Sequence, residues 1–299
     1  MEEINCPLCS SKSFAPFLSC RDHVRDGTAE YLLVCCNSCR LIYVNPPPEP
    51  EQLTLSYSDE YRDWIGVDVA TPVQGIKHLG LRRKRRALEK YSDGLGRLLD
   101  VGCGEGNFVL EARLSGWDAV GTEVDSHQAA LASRIGGAEV RVGDLTDCHF
   151  EEESFDVVTM WHVLEHLRNP LETLAEVHKL LKPGGLLIVM VPDCSCLAAR
   201  LFKASWSGYD PPRHLCNFSP DVLEDALVRA GFDRIDTIHR IGSYDLTRIS
   251  LEFLIKDRVA NTRCRHRLLA VIDNTIPRLL LAPTAFERAA VTAFARRAS

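Results

Sequence analysis

The sequence predicts an α/β fold: a seven-stranded mixed, largely parallel sheet with helices on both faces. A small metal-binding module precedes it, and a helical insertion precedes the last strand. Three observations carry this expectation. A strand, a glycine-rich loop, a helix and a second strand follow one another over residues 98–123. Further short apolar runs alternate with helical stretches towards residue 238. Two Cys-x-x-Cys pairs lie before residue 40. The 299 residues are 45% hydrophobic and 25% charged with a net charge of -6, an ordinary globular composition. It excludes disordered, collagen-like and strongly basic whole-chain nucleic-acid-binding classes. No run of about 18 apolar residues is present, so no transmembrane helix is expected. Met1-Glu2-Glu3 is acidic where a signal peptide would be basic, so a cytoplasmic location is expected.

The metal module rests on cysteine spacing. Cys6-Pro-Leu-Cys9 and Cys36-Asn-Ser-Cys39 stand 26 residues apart, and two such knuckles supply the four thiolates of a tetrahedral Zn²⁺ site. A segment of residues 1–45 is too short to bury much surface, so the metal would supply folding energy. A disulfide framework suits a secreted chain, which nothing here indicates. Cys20 with His23 is a weaker ligand pair, and Cys35 is a spare neighbour. Arg40–Val44 alternates like a short strand that Asn45-Pro46-Pro47-Pro48 stops, leaving a stiff linker. Residues 46–96 then read as a linker and helical cap with Tyr57, Tyr61 and Trp64. Arg82-Arg83-Lys84-Arg85-Arg86 reads as a solvated helix face, with an RNA-contacting patch as the lesser alternative.

Residues 97–299 form the main domain. Leu98–Val101 is a buried strand, Gly102-Cys103-Gly104-Glu105-Gly106 the loop, Asn107–Leu114 a helix and Trp117–Glu123 the second strand. Glu123 ends that strand, where a carboxylate can hold both ribose hydroxyls. The spacing is Gly-x-Gly-x-Gly rather than the dinucleotide Gly-x-Gly-x-x-Gly, and the Gly-Lys-Ser/Thr of a phosphate loop is absent. Asp100 and Glu105 would repel a pyrophosphate but attract a ligand carrying ammonium and sulfonium charges. Later strands are expected at 139–142, 155–160, 186–191, 231–238 and 290–295, the last antiparallel. A helical insertion at about 241–289 is longer than an ordinary connection and is expected to cover a substrate pocket.

Leu98–Gly106, Glu123, Gly143-Asp144-Leu145, Phe155–Val158 and Leu181-Lys182-Pro183-Gly184-Gly185 come in the order of the class I S-adenosylmethionine-dependent methyltransferases. The chain resembles that family over residues 97–240, with a Rossmann-like sheet. The resemblance implies that Asp100, Gly102, Cys103 and Gly104 face the methionine moiety and that Glu123 holds the ribose. Asp144 and Leu145 would contact the adenine, with Val124 and Trp161 completing the cofactor site. The cysteine knuckles and proline linker resemble the zinc-ribbon subgroup, in which a glycine usually follows the fourth cysteine; here it is Arg40.

Trp161-His162-Val163-Leu164-Glu165-His166 follows the fourth strand, at the carboxyl end of the sheet where α/β folds bind ligands. His166 and His162 are base candidates, Glu165 their orienting partner; pocket lining or helix capping is the plainer role. The same residues spell His-x-x-Glu-His, an inverted zinc-protease motif, but a strand runs straight into them. Tyr209 and His214, in the loop Trp206–Leu215, are further catalytic candidates, and Arg213 could pair with an acidic acceptor. The reading is methyl transfer to an oxygen or carbon of a small-molecule intermediate. An RNA methyltransferase is the alternative, disfavoured because residues 96–195 carry 7 basic against 17 acidic side chains. A non-catalytic binding module of the same fold is the third reading.

Overall fold

The protein is described as a computed structural model covering residues 2–24, 29–57, 72–136, 139–238, 244–259, 268–269 and 289–298. Tyr61, Trp64 and most of the expected insertion lie outside these residues. Two compact units emerge, each built from separate stretches: Met1–Asp68, Pro192–Pro220 and Gly242–Val291 in one, Val69–Val191, Asp221–Ile241 and Thr292–Ser299 in the other.

The second unit carries the large sheet. Its strands are β4 (Arg97–Val101), β5 (Asp118–Glu123), β6 (Glu139–Val142), β7 (Phe155–Trp161), β8 (Leu181–Pro192), β10 (Phe232–Ile238) and β11 (Ala290–Arg297). They lie in the order β10-β11-β8-β7-β4-β5-β6. Pairing is parallel from β8 through β6, and β10 with β11 is antiparallel. This is the Rossmann-like seven-stranded mixed sheet the sequence predicts. Helices α2 (Pro72–Tyr91), α3 (Asn107–Leu114), α4 (Ser126–Gly136), α5 (Pro170–Leu180) and α7 (Pro220–Arg229) belong to the same unit. The central strands are largely apolar because both faces are covered: Leu98, Leu99, Val158, Leu187 and Ile188 are fully buried.

β8 begins at Leu181, five residues earlier than the apolar run suggests, and takes in Lys182-Pro183-Gly184-Gly185. Its register against β7 shifts between Phe155 and Val157, which accommodates that irregular start. Asp156 ties the strand beginnings together, accepting hydrogen bonds from the Arg97 amide and from Lys182 Nζ, each at 2.8 Å.

The first unit holds a small antiparallel sheet of β1 (Phe14–Arg21), β2 (Glu30–Cys36), β3 (Ile42–Val44) and β9 (Cys216–Asn217), in the order β1-β2-β3-β9. It also holds α1 (Pro50–Ser56), α6 (Leu197–Phe202) and α8 (Tyr244–Arg258). The cysteine-rich segment therefore has a late stretch of chain as its fourth strand. Two residues of strand show no periodicity, so β9 has no sequence signal.

One ionic cluster holds the first unit's pieces together. Arg213 is completely buried. Its guanidinium donates to both oxygens of Asp210 at 2.8 and 2.6 Å and to both oxygens of Asp22 at 3.1 and 2.8 Å. A further bond at 3.3 Å reaches the carbonyl of Ser56, at the end of α1. The planar fork suits two carboxylates at once, as a lysine could not. An acidic acceptor is thus not the partner of Arg213. His23, expected as a weak metal ligand, instead stacks on Phe253 with centroids 4.6 Å apart and bonds Asp257 at 3.1 Å.

Removing one carboxylate would leave the guanidinium buried and undercompensated. Asp22→Ala is expected to destabilise the protein by about 3–5 kcal/mol, read from chemical denaturation; a loss below about 1 kcal/mol would show that the cluster does not hold the first unit together.

Candidate active site

The glycine loop leaves β4 at Val101 and enters α3 at Asn107. Gly102, Gly104 and Gly106 have φ of 64°, 55° and 71°, the left-handed region that a side chain disfavours. At Gly102 there is also no room: a β-carbon would lie 2.7 Å from Val163 Cγ2. The loop is pinned by the Cys103 amide, which donates to the Thr122 carbonyl at 2.9 Å. The Cys103 thiol lies against Gly121, where a β-carbon would stand 2.5 Å from Sγ, and burial raises its pKa.

Glu123, at the end of β5, is oriented by the backbone. Its two carboxylate oxygens accept from the amides of Gly104 at 2.8 Å and Asp125 at 2.9 Å. These bonds fix the carboxylate's plane and leave lone pairs for a diol. Val124 beside it is 70% exposed. Beyond β6, Leu145 is buried, whereas Asp144 Oδ1 accepts from the amides of Thr146 and Asp147 and from the Thr146 hydroxyl. Those bonds, the Thr146 hydroxyl first, hold the Asp144 carboxyl below the usual range.

Asp100 is the most unusual charge in the unit. It is buried at the end of β4 and accepts from the Thr159 hydroxyl at 2.6 Å. Burial pushes its pKa up to about 7, against the opposing pull of the Thr159 hydrogen bond and of Lys84. Lys84 on α2 sends its ammonium over the Trp161 ring, 4.8 Å from the centroid. Burial pushes its pKa down to about 8, partly offset by Asp100. Nothing in the sequence sets Lys84 apart from the rest of its basic run. Arg82, Arg83 and Arg86 are exposed, and Arg85 pairs with Glu89 and Glu111. Trp161 packs edge-on against Phe108 at 5.2 Å, and its buried indole N–H has no partner among the described residues.

The base candidates divide between the units. His162, Glu165 and His166 follow β7 in the second unit, with Leu164–His166 forming one short 3-10 turn. His162 Nδ1 is 3.0 Å from Glu165 Oε1. The His166 amide donates to the Val163 carbonyl at 3.0 Å. Tyr209 and His214 belong to the first unit. Tyr209 is buried edge-on against Trp206, 4.7 Å away, and burial raises its phenol pKa; His214 Nδ1 lies 2.7 Å from the Gly208 carbonyl oxygen.

Also in the first unit, the four knuckle cysteines converge. Sγ of Cys6 lies 3.4 Å from Sγ of Cys39, Sγ of Cys9 lies 3.5 Å from Sγ of Cys36, and all four sulfurs fall within 4.8 Å of one another. Tetrahedral Zn–S bonds of about 2.3 Å put sulfurs about 3.8 Å apart, so the donor set and its size fit zinc. Ser10 and Arg40, each just after a knuckle's second cysteine, have φ of 58° and 67°. That conformation is why glycine suits the position Arg40 occupies.

A family model described as a methyltransferase domain matches residues 75–237. A ubiquinone biosynthesis O-methyltransferase of Cereibacter sphaeroides is 33% identical over 156 residues, covering 47% of this chain and 61% of that protein. The chain thus spans less than two thirds of that relative's length. The enzyme of the same name from Ruegeria pomeroyi is 33% identical over 178 residues, covering 54% of this chain and 68% of the relative. Among solved structures, a SAM-dependent methyltransferase from Archaeoglobus fulgidus superposes with a TM-score of 0.52 at 21% identity, covering 74% of this chain and 94% of that one. At that identity the likeness establishes the fold alone. The glycine loop, the strand-end carboxylates and strands β4 to β8 fall within the matched residues, and the chain belongs to the methyltransferase-domain family.

Proposed function

We propose that this protein transfers a methyl group from S-adenosylmethionine to a small-molecule intermediate. The observation that carries the reading is the pair of carboxylates flanking the glycine loop, Asp100 buried at the end of β4 and Glu123 oriented at the end of β5. An adenosyl sulfonium needs such a set: a carboxylate for the ribose diol and a negative site for its cationic methionine end. Asp100 would take the methionine ammonium, Lys84 its carboxylate and Glu123 the ribose. Gly102, Cys103 and Gly104 would line the sulfonium side, Trp161 and Val124 the pocket wall, and Leu145 with Asp144 the adenine. Bound there, the donor supplies an electrophilic methyl carbon; the chain's own task is to orient the acceptor and exclude water.

The similarity to ubiquinone biosynthesis O-methyltransferases supports an acceptor that is small and methylated on oxygen. Among the described residues no helix is long and apolar enough to cross a membrane, which suits a cytoplasmic enzyme. Cys6, Cys9, Cys36 and Cys39 would hold a structural zinc that closes the two knuckles. The exposed Arg82, Arg83 and Arg86 favour a second reading, an RNA acceptor, against the acidity of residues 96–195.

Methyl-labelled S-adenosylmethionine incubated with a source-cell extract separates the two. Label is expected in a small, RNase-resistant fraction; label lost on RNase treatment would establish the RNA reading.

The cofactor assignment predicts a pH dependence. Asp100 is largely protonated below about 7 and must lose that proton to receive an ammonium. Affinity is therefore expected to rise roughly tenfold per pH unit well below 7 and to level off above it. Asp100→Asn should flatten the dependence and weaken binding at pH 8 by about 2 kcal/mol. Calorimetry checks both, and an unchanged profile in the variant would remove Asp100 from the site.

Metal analysis is expected to find one zinc per chain, lost in Cys36→Ser with loosening of the first unit. A variant that keeps its zinc would contradict the ligand set.

A further inference from the structure

We propose that His162 is the general base of the reaction, with Glu165 as its positioning residue, and that the acceptor presents a phenolic or enolic hydroxyl. This rests on reading the site as a methyltransferase centre.

His162 is held in place by unusual means. It is a non-glycine residue at φ 61°, a left-handed conformation that side chains disfavour and that the surroundings must enforce. Its amide donates to the Met190 carbonyl on β8 at 2.9 Å, so the backbone is locked to the sheet as it turns. The register places the residue at the cofactor loop. Val101, the last residue of β4, pairs with Met160, and the chain runs two residues further to His162. The next residue, Val163, lies against Gly102, the first glycine of the loop.

The ring is oriented for one job. Nδ1 lies 3.0 Å from Oε1 of Glu165, whose side chain is only 1% exposed, while the imidazole is 35% exposed. With Glu165 ionised, its carboxylate can only accept, which assigns the hydrogen to Nδ1 and leaves the lone pair on Nε2. This is the arrangement of a base whose tautomer is fixed by a carboxylate and whose charge, once protonated, that carboxylate offsets.

The base selects the acceptor. A neutral amine brings its own lone pair and needs no proton removed before attack. Typical carbon acids are far too weak for an imidazole, whose ordinary pKa is about 6.5, whereas a phenol near 10 is within reach in a hydrogen-bonded complex. In the step, the hydroxyl proton passes to Nε2 of His162. The oxygen lone pair forms the new bond to the methyl carbon, and the carbon–sulfur bond breaks with its electron pair remaining on sulfur. The sulfonium charge is thereby neutralised, and one positive charge appears as the imidazolium beside Glu165.

Nitrogen-15 NMR of the histidine rings in the full chain tests the arrangement without turnover, with His162→Gln providing the assignment. The neutral ring is expected as the Nδ1–H tautomer, redistributed towards Nε2–H in Glu165→Gln. An Nε2–H tautomer in the wild type would overturn the proposal, because that nitrogen would be a donor.

Turnover supplies the second arm. His162→Gly is expected to lower label transfer into the RNase-resistant fraction of a source-cell extract by roughly 10²–10⁴ while binding S-adenosylmethionine normally by calorimetry, and added imidazole should restore part of the rate. The transferred label should be released as methyl iodide by hot hydriodic acid, which cleaves methyl ethers and leaves carbon-bound methyl in place. A variant with the wild-type rate, or label that stays on carbon, would overturn the proposal. Failure of the methyltransferase reading looks different: the wild type would neither bind S-adenosylmethionine nor transfer label, whatever the tautomer of His162.

Discussion

A carboxylate buried at the open end of a parallel sheet is the constraint on which the second unit turns. Asp100 lies at the end of β4 and accepts from the Thr159 hydroxyl at 2.6 Å. A charge so placed is costly unless a counter-charge comes near, and burial accordingly drives the group towards its neutral form. The surroundings read as answers to that cost. Lys84 brings an ammonium, itself weakened by burial. The chain beyond Asp100 turns through glycines with positive φ, which lets a ligand approach closely. A cationic ligand would complete the balance that neither Lys84 nor Thr159 completes alone.

The first unit is organised by a different charge. Arg213, fully buried between Asp22 and Asp210, joins the end of β1 to a loop that the chain reaches only after β8. Asp257 does similar work at the end of α8, accepting from Arg21 at 2.6 Å and from Ser205 at 2.7 Å. The cysteine-rich segment is therefore held by later chain as well as by its own knuckles. Within the sequence, those later pieces sit between β8 and α7 and between β10 and β11, positions where an α/β sheet tolerates long insertions.

The positions proposed for the cofactor are legible in the sequence because their signals are local. Glycines of positive φ, a carboxylate two residues before them and another ending the next strand follow from backbone sterics and strand geometry, so spacing alone carries them. The same holds for the knuckles, whose four sulfurs converge as their spacing requires. What was not legible depended on distant partners. Lys84 reads as one cation among five until the packing of α2 turns its ammonium onto Trp161. Arg213 reads as an available cation because the two aspartates that saturate it lie before and far from it in the chain or in a loop with no periodicity. Strand β9 is too short to leave a pattern, and the contiguous segments read from the sequence could not show units built from separated pieces.

A crystal structure of the protein with S-adenosylhomocysteine bound is the decisive measurement for the two strand-end carboxylates. Ribose hydroxyls are expected on the Glu123 carboxylate, the amino group at Asp100 and the carboxylate at Lys84, with the thioether sulfur beside the glycine loop. A ligand bound elsewhere, or one whose ribose leaves Glu123 engaged only with the amides of Gly104 and Asp125, would contradict that assignment.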